Sequence, residues 1–86
     1  MTSRAYALEI TPNTQGSRLG LVVSRRVGGA VERNRTKRVL REWFRQCRSQ
    51  LPLSGDFVVI ARADAARLGT RAAWAELSSL VARAGL

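Results

Sequence analysis

Residues 18–45 read RLGLVVSRRVGGAVERNRTKRVLREWFR, and their interpretation decides the fold. Arg18–Ser24 is apolar and rich in β-branched and aliphatic residues, the composition of a strand. Val27-Gly28-Gly29 then breaks regular structure. From there a long helix is predicted to run to near Gln50, ahead of Pro52 and Gly55. On a wheel of roughly 100° per residue with Arg38 at zero, Val39, Trp43, Thr36, Cys47, Leu40 and Phe44 fall between about 100° and 240°. Lys37, Arg48, Arg41, Asn34, Arg45 and Arg38 fall between about 260° and 360°, and Arg35 lies near about 60°. One face is therefore core and the opposite face a basic stripe. Ala30 and Val31 do not fit this wheel. Either the helix begins later, or its first turn packs against something else.

The flanking sequence supplies the rest of a small domain. Ala5–Ile10 alternates with period two and predicts a half-buried strand. The turn residues Thr11–Gly16 lead into Arg18–Ser24, so these two strands are expected to pair as a hairpin. Asp56–Arg62 is a continuous apolar run, which suits an interior strand covered on both faces. Asp64–Leu68 predicts one helical turn, stopped by Gly69. Thr70–Ala84 predicts a final helix with Thr70 as N-cap and Trp74, Leu77, Leu80 and Val81 on its packed side. The order β-β-α-β-α over residues 1–86 is a single α+β domain, helices layered on a small sheet.

The chain has 86 residues, of which 45% are apolar, too many for a disordered basic tail. It carries 15 Lys and Arg, 6 Asp and Glu, no His, and a net charge of +9. Nine of the bases lie between Arg25 and Arg48 against only Glu32 and Glu42, so that segment alone carries +7. Like charges along one stripe repel, and an anionic partner relieves the repulsion. All but Lys37 of the 15 bases are Arg, whose planar fork binds phosphate at two points.

Other chemistries are limited. Without His there is no Ser-His-Asp or Cys-His triad. One cysteine, Cys47, forms no intramolecular disulfide or multi-Cys zinc site, and its place on the apolar face reads as a buried, inert thiol. No stretch is long enough for a membrane span, and a cytoplasmic location is expected. A membrane-surface helix would border its polar face with aromatics, whereas Trp43 and Phe44 fall in the core-facing set. A helix-turn-helix reader of DNA would place a short helix before this one; a strand precedes it instead, so DNA is not the expected partner. The stripe suits a phosphate-lined RNA surface.

The run from Arg18 to Arg45 resembles the signature of the bacterial ribonuclease P protein subunit. A strand ending in a basic pair is followed in order by Val-Gly, Ala-Val, Arg-Asn-Arg, Lys-Arg, Arg-Glu and Phe-Arg. Gly55–Arg62 and the last helix are also similar to that family. The resemblance implies a partner, a large catalytic RNA, and a substrate, precursor tRNA, from which the 5′ leader is removed. It implies that the RNA performs the hydrolysis with Mg2+ held mainly by RNA and substrate, so no catalytic side chain is expected. The family's Arg-Asn-Arg maps onto Arg33, Asn34 and Arg35. Its flanking basic positions map onto Arg25, Arg26, Lys37, Arg38, Arg41 and Arg45, and the stripe adds Arg48. A left-handed β-α-β crossover is also implied, where nearly all such units are right-handed. Family members carry a further N-terminal helix and short strand. This chain starts near the second strand, as a truncated chain, a mis-set start or a shortened member would. That helix forms one wall of a cleft for the leader, and Tyr6 is the expected surviving cleft aromatic. A ribosomal or RNA-chaperone module and a DNA-binding helix protein are the competing classes.

Overall fold

The computed structural model describes residues 1–51 and 54–84. Its elements are β1 (Tyr6–Pro12), β2 (Arg18–Val23), α1 (Ala30–Cys47), β3 (Gly55–Ala61) and α2 (Thr70–Arg83). Short 3-10 turns occupy Arg25–Val27, Arg48–Gln50 and Ala63–Arg67. The α+β class and the element order expected from the sequence both hold. Pro52, the expected helix stop, lies outside the described residues; α1 ends at Cys47 and continues as the 3-10 turn to Gln50.

The expected hairpin does not form. The sheet order is β1-β3-β2, with β1 antiparallel and β2 parallel to β3. The reason is burial. Phe57, Val59 and Ala61 are fully buried, so β3 takes the centre, while β1 contains Pro12 and β2 contains Gly20, residues tolerated at edges. The β1–β2 link must then pass the end of β3, and Asp56 holds it there. Its carboxylate accepts from Asn13 Nδ2 at 2.8 Å and from Arg18 Nε at 2.9 Å. The hydrogen-bonded Arg18 guanidinium, helped by Asn13, holds the Asp56 carboxyl below the usual carboxylate range.

β3 is interior in the sheet but is covered on one face, not both. Gly55, Phe57, Val59 and Ala61 are buried and alternate with half-buried Asp56, Val58 and Ile60. The covered face meets both helices. Tyr6 and Leu8 of β1 share it with Leu40, Trp43 and Phe44 of α1 and Ala73, Leu77 and Leu80 of α2. Phe44 stands between Trp43 and Phe57, with ring centroids 6.3 and 5.7 Å away. The two tryptophans tie the helices together: Trp43 Nε1 donates to Ser78 Oγ, and Trp74 Nε1 donates to the Val39 carbonyl, each at 3.3 Å. The opposite face leaves Val22 53% exposed and Val58 and Ile60 half-buried.

Both expectations for the start of α1 fail. The helix begins at Ala30, yet Val31 is 78% exposed and packs on nothing in the core. Thr70 is the first helical residue of α2; Gly69 is the N-cap and provides no side-chain bond. At the N-terminus, Met1–Ser3 fold back along β1. Leu8 N donates to the Met1 carbonyl at 2.7 Å, and Thr2 bridges Ala7. Glu76 of α2 pins this turn, accepting from Ser3 Oγ and from Ala5 N.

Candidate nucleic-acid interface

The packing of α1 on the sheet dictates which of its bases face outward. Thr36, Leu40, Trp43 and Phe44 are buried, with Val39 and Cys47 half-buried beside them, as the wheel predicts. Burial pushes the Cys47 thiol pKa up, which keeps it protonated and inert. On the other side Asn34, Arg35, Arg38, Arg41 and Arg45 are exposed, and Lys37 is half-buried. Arg48 extends this surface into the following turn and is exposed. Lys37, Arg41 and Arg45 succeed one another about 6 Å apart along the axis, at 1.5 Å per residue.

Arg25 and Arg26 are exposed in the turn that joins β2 to α1. That turn is shaped locally: Ser24 Oγ accepts from Arg26 N at 3.1 Å, and Gly28 follows at φ 147°. Arg33 differs from its neighbours. It is half-buried, and its Nε is shielded from solvent with no hydrogen-bond partner among the described residues. Thus the Arg-Asn-Arg run divides, with Asn34 and Arg35 open and Arg33 turned toward the packed side.

The charge of this face is uncompensated. Among the described residues the ion pairs are Arg4–Asp64 at 3.9 Å and Arg18–Asp56 at 2.9 Å, neither on α1. Beside the stripe, between α1 and β2, lies a groove of about 610 Å³. Arg18, Leu19 and Leu21 of β2 form one side of it, and no motif in the sequence marks these three as part of a site. A second depression of about 540 Å³ gathers Arg4, Arg26 and Arg62 at the ends of β2 and β3. Arg4 and Arg62 are distant in sequence and meet because Arg62 N donates to the Ala5 carbonyl at 2.8 Å.

Tyr6 is not a cleft aromatic. It is 1% exposed and belongs to the core between the sheet and the helices, so no base can stack on it. The cause is register: Tyr6 pairs with Ala61, and both point to the covered face. Burial, with the nearby Glu76 carboxylate adding, raises the phenol pKa to about 12.

Among the described residues no three His, Cys, Asp or Glu side chains converge. No helix among them is long and apolar enough to cross a membrane.

A small α+β domain with an unpaired arginine face along one helix is a polyanion-binding module. Comparison with known proteins makes the class specific. The family model described as Ribonuclease P matches residues 1–85, and the chain belongs to this family. A relative from Desulforapulum autotrophicum, "Ribonuclease P protein component", is 45% identical over 67 residues, 78% of this chain and 57% of that protein. Another of that name from Shouchella clausii is 40% identical over 86 residues, covering 98% of this chain and 70% of that protein. The RNase P protein of Staphylococcus aureus superposes with a TM-score of 0.89 at 32% identity, covering 98% of this chain and 78% of that one. The Thermotoga maritima RNase P protein gives 0.84 at 32%, covering 96% and 80%. Against the first two relatives matched, this chain spans 57% and 46% of their length.

Proposed function

We propose that this chain acts as the protein subunit of ribonuclease P. It binds the catalytic RNA through the α1 stripe and assists removal of the 5′ leader from precursor tRNA. The observation that carries this reading is the row of exposed cations Arg38, Arg41, Arg45 and Arg48, with half-buried Lys37 beside them and no ion-pair partner among the described residues, presented by a helix whose other face is locked into the core. Arg25, Arg26, Arg35 and Arg38 extend the contact, and Asn34 adds an amide that both donates and accepts.

In this reading the protein's work is electrostatic and positional. The arginines neutralise backbone phosphates, which lowers the repulsion between the catalytic RNA and precursor tRNA. The phosphodiester hydrolysis belongs to the RNA, with Mg2+ held by RNA and substrate. Tyr6 has no part in leader binding; the uncovered sheet face, with Val22, Val58 and Ile60, takes that role. The cytoplasm, where tRNA is processed in bacteria, is the corresponding location.

Reconstitution tests the proposal. The chain is added to a bacterial ribonuclease P RNA at low Mg2+, and cleavage of a precursor tRNA is followed. Stimulation over RNA alone is expected. Absence of stimulation at every protein concentration, alongside a stimulating family relative of full length, refutes it.

A further inference from the structure

The groove between β2 and α1 has a composition that phosphate binding alone does not explain. Its floor is apolar, formed by Leu19 and Leu21 from the strand and Phe44 from the helix. Its rim is cationic, with Lys37, Arg41, Arg45 and Arg48 from the α1 side. Arg18 stands opposite them, committed to Asp56 at 2.9 Å. No acidic side chain lines the groove among the described residues. Arg48 reaches back to the β1–β2 turn, where a Cβ on Gly16 would stand 3.8 Å from its Nη2.

A duplex laid on the helix would present phosphates and stacked, paired bases. It would meet the outer cations and leave the apolar floor untouched. A strand with an unpaired base satisfies both surfaces, because a free base has an apolar face and its two flanking phosphates seek cations. The volume of about 610 Å³ lies inside the range, roughly 300–1,000 Å³, of sites that hold small organic groups.

We infer that the β2–α1 groove seats one unpaired nucleotide of an RNA strand, its base against Leu19, Leu21 and Phe44 and its flanking phosphates on Lys37, Arg41, Arg45 and Arg48. The inference rests on the RNA-binding reading above and adds a subsite to it. β2 is an edge strand, so its outer backbone amides and carbonyls border the seat and can meet the edge of the base.

Two probes test it at low salt: pentaadenylate, and an abasic ribose-phosphate oligomer of the same length. Affinity is measured by fluorescence competition, and contacts by methyl and arginine side-chain NMR. Pentaadenylate should bind roughly fivefold more tightly than the abasic oligomer, the low end of what seating one base provides. It should also shift the Leu19 and Leu21 methyls, which the abasic oligomer leaves in place. Arg41→Gln should weaken both probes and preserve their ratio. Leu19→Ala should bring the ratio toward one and leave abasic affinity unchanged. Equal affinities with silent leucine methyls overturn the seat, and so do shifts confined to Val22 and Ile60 on the uncovered sheet face. Both of those outcomes leave the RNA-binding reading intact. Failure of both probes to bind overturns the seat as well, and the reconstitution assay then decides the RNA-binding reading separately.

Discussion

Arg41→Ala isolates the stripe's contribution to RNA affinity. Arg41 is exposed, unpaired, and sits midway along the row of Lys37, Arg38, Arg41, Arg45 and Arg48. If these five cations each neutralise one phosphate, log affinity falls with log salt at a slope of about −4, taking about −0.7 to −0.9 per contact. Raising salt from 50 to 200 mM should then weaken binding by roughly 250-fold. Removing Arg41 should lower the slope by about 0.8 and weaken binding roughly sixfold at 0.1 M salt, since one fewer counterion is released. The assay is fluorescence anisotropy with a ribonuclease P RNA, titrated in KCl at fixed Mg2+. Arg71→Ala, an exposed cation on α2, is the control and should leave the slope unchanged. An Arg41→Ala slope equal to the parent's, or an equal loss from Arg71→Ala, would refute the assignment of phosphate contact to this stripe.

Three further outcomes follow from the packing. Trp43→Ala removes a buried ring and its bond to Ser78, and should destabilise the domain by about 3–5 kcal/mol. Trp43→Phe should lose about 1 kcal/mol, and denaturant melts that do not separate the two variants would contradict this placement. Tyr6 is the single tyrosine, so its ionisation is readable at 295 nm. Its folded pKa of about 12 lies above the ordinary 10, so this contribution to stability is complete below pH 10 and is lost as pH rises toward 12. A midpoint near 10 with the circular dichroism of the folded chain would show that Tyr6 is not buried. Gly28→Ala puts a Cβ 2.9 Å from Glu32 Cβ at φ +147°, and should cost about 1–3 kcal/mol by thermal melt. Gly16→Ala, at φ +101° with its nearest neighbour 3.8 Å away, should cost less.

Most of the elements were legible because their periodicities are strong. The α1 wheel separated Leu40, Trp43 and Phe44 from Arg38, Arg41 and Arg45, and the structure keeps that division. Strand pairing was less legible. Thr11–Gly16 has the chemistry of a hairpin turn, but the deciding quantity is how much of Asp56–Arg62 must be buried, and that depends on distant partners. The place of Tyr6 is hard to read for a related reason. Alternation shows that Tyr6 and Leu8 share a face without showing which face the helices cover. The groove was invisible because Leu19 and Phe44 belong to different elements, and no local pattern signals the space left between them.

The sheet order explains how so small a domain tolerates its charge. With β3 in the middle, α1 crosses from the edge strand β2 to the centre and has one face buried along most of its length. That leaves a single outward direction for the bases. Lys37, Arg41 and Arg45 then stand about 6 Å apart along the axis, inside the screening length of about 8 Å at physiological salt, so they repel one another in the free chain. The repulsion is relieved when phosphates at comparable spacing lie against the stripe, and the energy stored in the unbound domain reappears as affinity for a polyanion. A hairpin of β1 with β2 would place a different strand beside β3. The helix would then lose the edge against which Leu19, Leu21 and the groove are built. The parallel pairing of β2 with β3 is therefore what brings an apolar strand edge beside the charged helix, and both surfaces depend on the same topological choice.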